Sequence, residues 1–185
     1  MDRKLTTVLS IVIGILGAGL IVTALFLMFQ NKGFTKYNDD SGQFSLLYPS
    51  NWLITPGGGG SSVLIQSPQE NDLDFYLENV NIVIQDLSGK QLSLMDYSDI
   101  AVRQIKAVFK NNVNVLEANE TRFAGRAGYK FSYIGHGPQG DLKIVHYWTI
   151  KGPKAYQFTY AALATKFDNY LPQIEKMVKS FTIKN

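Results

Sequence analysis

The sequence predicts an α+β fold: an α-β-α sandwich around a mainly antiparallel sheet, preceded by one transmembrane helix. Three observations carry that prediction. Residues Leu5 to Phe29 contain no charged side chain over 25 positions. Several later segments alternate apolar and polar residues with the two-residue period of a strand. Two others, one mid-chain and one near the C-terminus, repeat at three and four residues, as a helix with one buried stripe does.

The apolar run comes first. A bilayer core needs about 20 mainly apolar residues in a helix, so this run is long enough to cross with some tilt. Arg3 and Lys4 precede it beside Asp2, and Lys32 and Lys36 follow. Basic residues before a first apolar segment usually hold that end in the cytoplasm. The expectation is therefore a single-pass membrane protein with a cytoplasmic N-terminus and an extracytoplasmic C-terminal domain, at the cell membrane or a thylakoid. The competing reading is a cleaved signal peptide cut near Val22-Thr23-Ala24. Such a cut leaves Leu25 to Phe29 as an exposed apolar N-terminus, and the apolar region of a cleaved signal is shorter, about 7 to 15 residues. Gly14 and Ala18 form a small-xxx-small pair at which a second helix can approach closely. Leu5, Gly14, Ala18 and Phe29 mark the anchor, residues 1–32 form the stub and signal-anchor helix, and 33–185 form the domain.

Composition narrows the chemistry. The chain has 18 basic and 15 acidic residues. Most of that excess flanks the apolar run, so the domain is nearly neutral, its charges are dispersed, and nucleic acid is not an expected partner. Cysteine is absent, which removes disulfides, thiolate metal sites, thiol catalysis and a lipid-modified cysteine together. Asn119-Glu120-Thr121 fits the N-glycosylation pattern, which matters only outside the cytoplasm.

Along the domain, Gly33 to Asp40 reads as a connector and first strand. Asp39-Asp40-Ser41-Gly42 is a turn, and Phe44 to Tyr48 resumes a strand that Pro49 stops. Gly57-Gly58-Gly59-Gly60-Ser61-Ser62 reads as a mobile loop rather than a phosphate loop: no Lys-Ser or Lys-Thr follows, and Val63 to Gln66 is strand-like. Asn79 to Leu87 alternates cleanly. Ser93-Leu94-Met95-Asp96 fits a capping pattern and opens a helix to about Lys110, with Tyr97, Ile100, Ala101, Ile105 and Val108 on one stripe. Val115 to Phe123, Tyr129 to Tyr133, Leu142 to Ile150 and Ala155 to Ala162 are strands. Their connections are too short for parallel crossovers, so they pair antiparallel. A final helix starts near Asp168 or Asn169, takes Pro172 in its first turn, and buries Tyr170, Ile174, Met177, Val178 and Phe181.

Motifs with chemical meaning are few. Gly135-His136-Gly137-Pro138-Gln139-Gly140 matches G-x-G-x-x-G by letter, but a strand rather than a helix follows, so no helix N-terminus receives a pyrophosphate. His136, Asp141 and His146 are the metal candidates, two histidines and a carboxylate around one hairpin. Asp72, Asp74 and Glu78, and Asp39-Asp40, read as solvated acids. No activated nucleophile or acid–base pair is visible, so no enzyme, catalytic residue or cofactor is expected. Aromatic residues crowd neighbouring strands: Phe131, Tyr133, Tyr147, Trp148, Tyr156, Phe158 and Tyr160. Most belong to the core, and any left exposed would mark a docking surface.

Several stretches together resemble the PsbP family. They are Phe44-Ser45-Leu46-Leu47-Tyr48-Pro49-Ser50-Asn51-Trp52, Asn79 to Ile84, Thr121 to Phe131, Tyr147-Trp148-Thr149, and Tyr170 to Phe181. The resemblance spans nearly all of Phe34 to Asn185 and implies an α-β-α sandwich shared with Mog1. It also implies a non-enzymatic accessory subunit or assembly factor, exported across a membrane, that docks on a larger membrane protein complex, photosystem-like or another membrane oxidoreductase; the apolar run adds that this one is membrane-anchored. The expected partners are subunits of that complex and the lipid bilayer. The chain departs from the family in its N-terminus, where a transmembrane segment replaces the soluble or lipidated start of the photosynthetic members. That puts ion retention in photosystem II in doubt for this chain. The alternative is an extracytoplasmic carrier of a ligand or metal, using the glycine loop or the histidine hairpin.

Overall fold

Residues 32–109, 112–137 and 140–184 are described by the computed structural model. The chain divides into two units, Met1–Thr35 and Lys36–Asn185. The predicted membrane segment, with Leu5, Gly14, Ala18 and Phe29, lies outside the described residues. Among the described residues no helix is long and apolar enough to cross a membrane.

Two sheets and two helices make up the domain. In chain order the strands are β1 (Phe34–Asn38), β2 (Phe44–Pro49), β3 (Leu53–Pro56), β4 (Ser61–Gln66) and β5 (Asn79–Asp86). Helix α1 (Leu94–Val108) follows, then β6 (Val113–Phe123), β7 (Arg126–Gly137), β8 (Gly140–Lys151) and β9 (Lys154–Leu163). A 3-10 turn (Phe167–Asn169), helix α2 (Leu171–Ser180) and β10 (Thr182–Ile183) close the chain. The large sheet runs β3-β4-β5-β9-β8-β7-β6 and the small one β1-β2-β10. Every pairing in the large sheet is antiparallel. The mixed fold with antiparallel sheets agrees with the sequence expectation, whereas the second, three-stranded sheet was not anticipated.

Helix α1 begins as its sequence dictates. Ser93 Oγ accepts from the Asp96 N–H and the Asp96 side chain accepts from the Ser93 N–H, a reciprocal capping box. Its inner face, Tyr97 and Ala101, packs on Phe131, Tyr133, Ile144 and Trp148. Trp148 is fully buried, stacked on Tyr129 at 5.3 Å, and its indole N–H donates to Ser98 Oγ at 2.8 Å. Ser98 in turn donates to the Leu94 carbonyl, so the one polar atom of the indole is satisfied. Val108 does not join the buried stripe that its spacing predicts; it is exposed. The helix ends there, and Phe109 turns inward instead, standing edge-on to Tyr133 over Gly135. A Cβ at Gly135 would lie 2.5 Å from the Phe109 ring, so only glycine leaves that ring its place.

The opposite face of the large sheet carries Tyr156, Phe158 and Tyr160 from β9 and, in register beside them, Ile84, Ile82 and Val80 from β5. Phe123 bridges Phe158 to Phe181, and Phe181 stacks on Phe44 at 5.2 Å, tying this face to the small sheet. Ile174 and Met177 of α2 are buried, while Tyr170 and Val178 are only half-buried. The 3-10 turn delays the start of α2 to Leu171, with Pro172 in its first turn where its missing N–H costs nothing.

The glycine-rich stretch is a hairpin turn rather than a free loop. Gly57 to Gly60 join β3 to β4, Gly59 and Gly60 take positive φ of 63° and 93°, and a Cβ on Gly57 would meet the Ser61 carbonyl oxygen. On the outer edge, β6 carries a bulge: Val115 pairs with Tyr133 and Glu117 with Ser132, leaving Leu116 as the extra residue.

Candidate functional site

The hairpin of β7 and β8 disperses the metal candidates. His136 lies opposite Asp141 in register, with Nδ1 and Oδ1 2.8 Å apart on an exposed rim. His146, five residues further along β8, points to the other face and is buried. Its Nδ1 bonds Thr159 Oγ1 at 2.8 Å, its Nε2 lies 3.4 Å from Tyr133 Oη, and its ring stacks on Tyr133. Burial lowers its pKa to about 4, so it is neutral at ordinary pH. The structure thus joins His136 to Asp141 but not to His146. Among the described residues, no three His, Cys, Asp or Glu side chains gather as a ligand set. Both flanks of the glycine-rich hairpin are strands.

A different region, residues 67–78, gathers unusual chemistry. It leaves β4 and returns to β5 at one end of the sheet, and its base is closed by the Ser67 N–H donating to the Glu78 carbonyl at 2.8 Å. The acids read as solvated in sequence are partly inside. Asp74 and Glu78 are buried, as is Asp39 in the first turn, where its carboxylate accepts from the Gln43 N–H. Lys166, a residue 92 positions away, makes the difference for Asp74. Its Nζ lies 2.7 Å from Asp74 Oδ1 and 3.0 Å from Glu70 Oε2. The Glu70 N–H donates to Asp74 Oδ2, and Tyr170 Oη donates to Glu70 Oε1 at 2.7 Å. The lysine hydrogen bond, then the Glu70 amide, hold the Asp74 carboxyl below its usual range, and the two acids raise the Lys166 ammonium. The Tyr170 ring, set edge-on against Trp52, fixes the brace to the core. Beneath it, Glu78 Oε2 accepts from Ser67 Oγ, while Oε1 is buried with no hydrogen-bond partner.

This braced loop holds apolar side chains out into solvent. Phe75 is 87 % exposed and Leu73 79 %, and Leu53, paired with Gln66 at the same end, is 61 % exposed. Burying such a side chain is worth about 1.5–3 kcal/mol, so folding leaves that gain unrealised here. The crowded strand aromatics, by contrast, are core: Phe131, Tyr133, Trp148, Tyr156, Phe158 and Tyr160 are buried and Tyr147 is half-buried. Among the described residues the exposed aromatic is Phe75, which lies in an acidic segment. Its one signal is Leu73-Asp74-Phe75-Tyr76-Leu77, four apolar or aromatic residues where a plain polar loop has none. A hollow of about 270 Å3 beside α1, whose lining includes Gln85, Leu87, Lys90, Tyr97, Ala101 and Gln104, exposes mainly apolar surface to a ligand.

The sequence profile of PsbP matches residues 32–183. The chain belongs to the PsbP family. Solved structures share the fold at low identity. Cyanobacterial PsbP (CyanoP) from Synechocystis sp. PCC 6803 is 16% identical with a TM-score of 0.60, over 82% of this chain and 93% of that one. LpqN of Mycobacterium tuberculosis, described as involved in cell envelope biogenesis, is 10% identical with a TM-score of 0.58, over 82% and 91%. The Saccharomyces cerevisiae Ran-binding protein Mog1p is 7% identical with a TM-score of 0.57, over 81% and 95%. At these identities the likeness is one of fold. Among curated proteins compared by sequence, none matches.

Proposed function

We propose that this PsbP-family chain is a membrane-anchored, non-enzymatic accessory subunit or assembly factor that docks on a larger membrane protein complex. Its N-terminus lies in the cytoplasm and its domain outside. The observation that carries this reading is the pair Leu73 and Phe75, held out of the core on a loop braced by Lys166. A domain that spends two ion pairs on presenting apolar side chains is built for a partner surface. The uncharged run Leu5 to Phe29 supports the anchor, and tethering raises the domain's effective concentration at a membrane partner without tight intrinsic affinity.

Topology is testable because the chain has no cysteine. A Ser88→Cys variant carries a single exposed thiol, and a membrane-impermeant maleimide should label it in intact cells. Labelling only after lysis would place the domain inside and end this reading. Extraction of the full chain in mild detergent should also bring down a stoichiometric membrane complex; a solitary monomer contradicts the docking role.

A further inference from the structure

We infer that the docking element is the tip of the loop 67–78, and that its occupant is an apolar pocket with a basic rim on a protein subunit of the partner complex. This inference deepens the docking role above and rests on it. Three observations carry it.

The first is exposure on a fixed base. Leu73 and Phe75 stand in solvent on a loop whose Glu70 is held by Tyr170, and Tyr170 abuts the buried Trp52.

The second is charge. The loop contains Glu70, Asp72, Asp74 and Glu78, and Lys166 is the cation paired into it. Asp72, beside Leu73, is exposed. An anionic lipid surface repels such a tip, and sinking Phe75 into headgroups drags the Asp72 carboxylate toward them. A protein pocket lined by apolar residues and ringed by lysine or arginine accepts both features.

The third is rigidity. Asn71 Oδ1 accepts from the Leu73 N–H, its carbonyl from the Asp74 N–H, and the Asp74 carboxylate is clamped from below. The tip reaches a partner already ordered, so less entropy is lost on docking.

The test uses the full chain in its own membranes. A photocrosslinking p-benzoylphenylalanine replaces Phe75, and in a control replaces Ser88 at the far end of the sheet. The expected result is a discrete protein adduct at 75 and not at 88, with the adduct peptide apolar and flanked by Lys or Arg. Leu73→Ser with Phe75→Ser should lower co-purified partner at least about tenfold, and Asp72→Lys should lower it less, both with unchanged near-ultraviolet circular dichroism. Adducts to lipid alone, adducts to a second copy of the chain, or undiminished co-purification of the double variant would overturn the assignment of this surface. If those results come while the unaltered chain still brings down its complex, the docking role survives and only its surface is wrong. An unaltered chain that brings down nothing sinks both.

Discussion

The face of the sheet under α1 and the end carrying residues 67–78 use apolar side chains in opposite ways. Under α1, Trp148 is sealed on every side and its only polar atom is bonded to Ser98. At the loop, Phe75 is of similar size and almost wholly in water, while the polar atoms beneath it are the buried ones. The first arrangement makes stability. The second sacrifices some of it to hold a surface in shape, which is what separates a packing residue from a presented one.

The sharpest way to break this contrast is at its stable pole. Trp148→Ala removes a fully buried ring and its hydrogen bond to Ser98 Oγ, and should cost about 3–5 kcal/mol in denaturant unfolding. A loss below about 1 kcal/mol would mean that the α1 face is not the main source of stability.

Next in size is acid sensitivity within that same face. His146 has a folded pKa of about 4 against an ordinary 6.5, because burial disfavours its charge. A base with a depressed folded pKa binds fewer protons folded than unfolded, so stability is full above pH 6.5 and falls as pH drops toward 4. The full loss approaches about 3 kcal/mol. His146→Gln should flatten this part of a melting-temperature profile. A flat profile in the unaltered protein would contradict the burial.

The brace is expected to matter locally. Lys166→Ala removes the cation between Glu70 and Asp74. It should speed protease cleavage within 67–78 and amide exchange at Leu73 to Phe75, with little change in global melting. The pairing has a sign in pH as well. Asp74 and Glu70 titrate below their ordinary 3.8 and 4.5, so their contribution is present above those values and is lost as pH falls through the lower folded ones. Lys166 titrates above its ordinary 10.5, so its contribution is present below that value and fades at higher pH. Loop protection should therefore hold from about pH 4.5 to 10.5. Protection equal to that of α1 in the lysine variant would show that the brace does nothing.

Smallest of all should be the stability change in Leu73→Ser with Phe75→Ser, within about 0.5 kcal/mol, since neither side chain is buried. A large loss would turn these residues into core and erase the distinction between the two regions.

What was readable in the sequence follows the range of the interactions. The α1 start was legible because Ser93 and Asp96 lie three residues apart, and β5 and β9 because their alternation is local. β3 was missed: Leu53-Ile54-Thr55-Pro56 is too short for a period, and it exists because Val63 to Gln66 pairs with it. β10 is two residues long and depends on Phe44 and Ser45. The loop was misread for the same reason, on a larger scale. A row of acids looks solvated until Lys166 and Tyr170, about a hundred residues later, are brought beneath it. The uncharged run Leu5 to Phe29 and the family pattern were plain, yet neither identifies which surface faces a partner.

The two outer strands of the large sheet have a further consequence. β3 is four residues long and ends in Pro56, which has no N–H to offer; β6 is eleven residues long but is broken at Leu116 and carries Glu117 and Glu120. Each border is thereby a poor template for another chain's backbone. Copies crowded at high concentration, where collisions between like molecules are frequent, can brush past one another without zipping into fibrils.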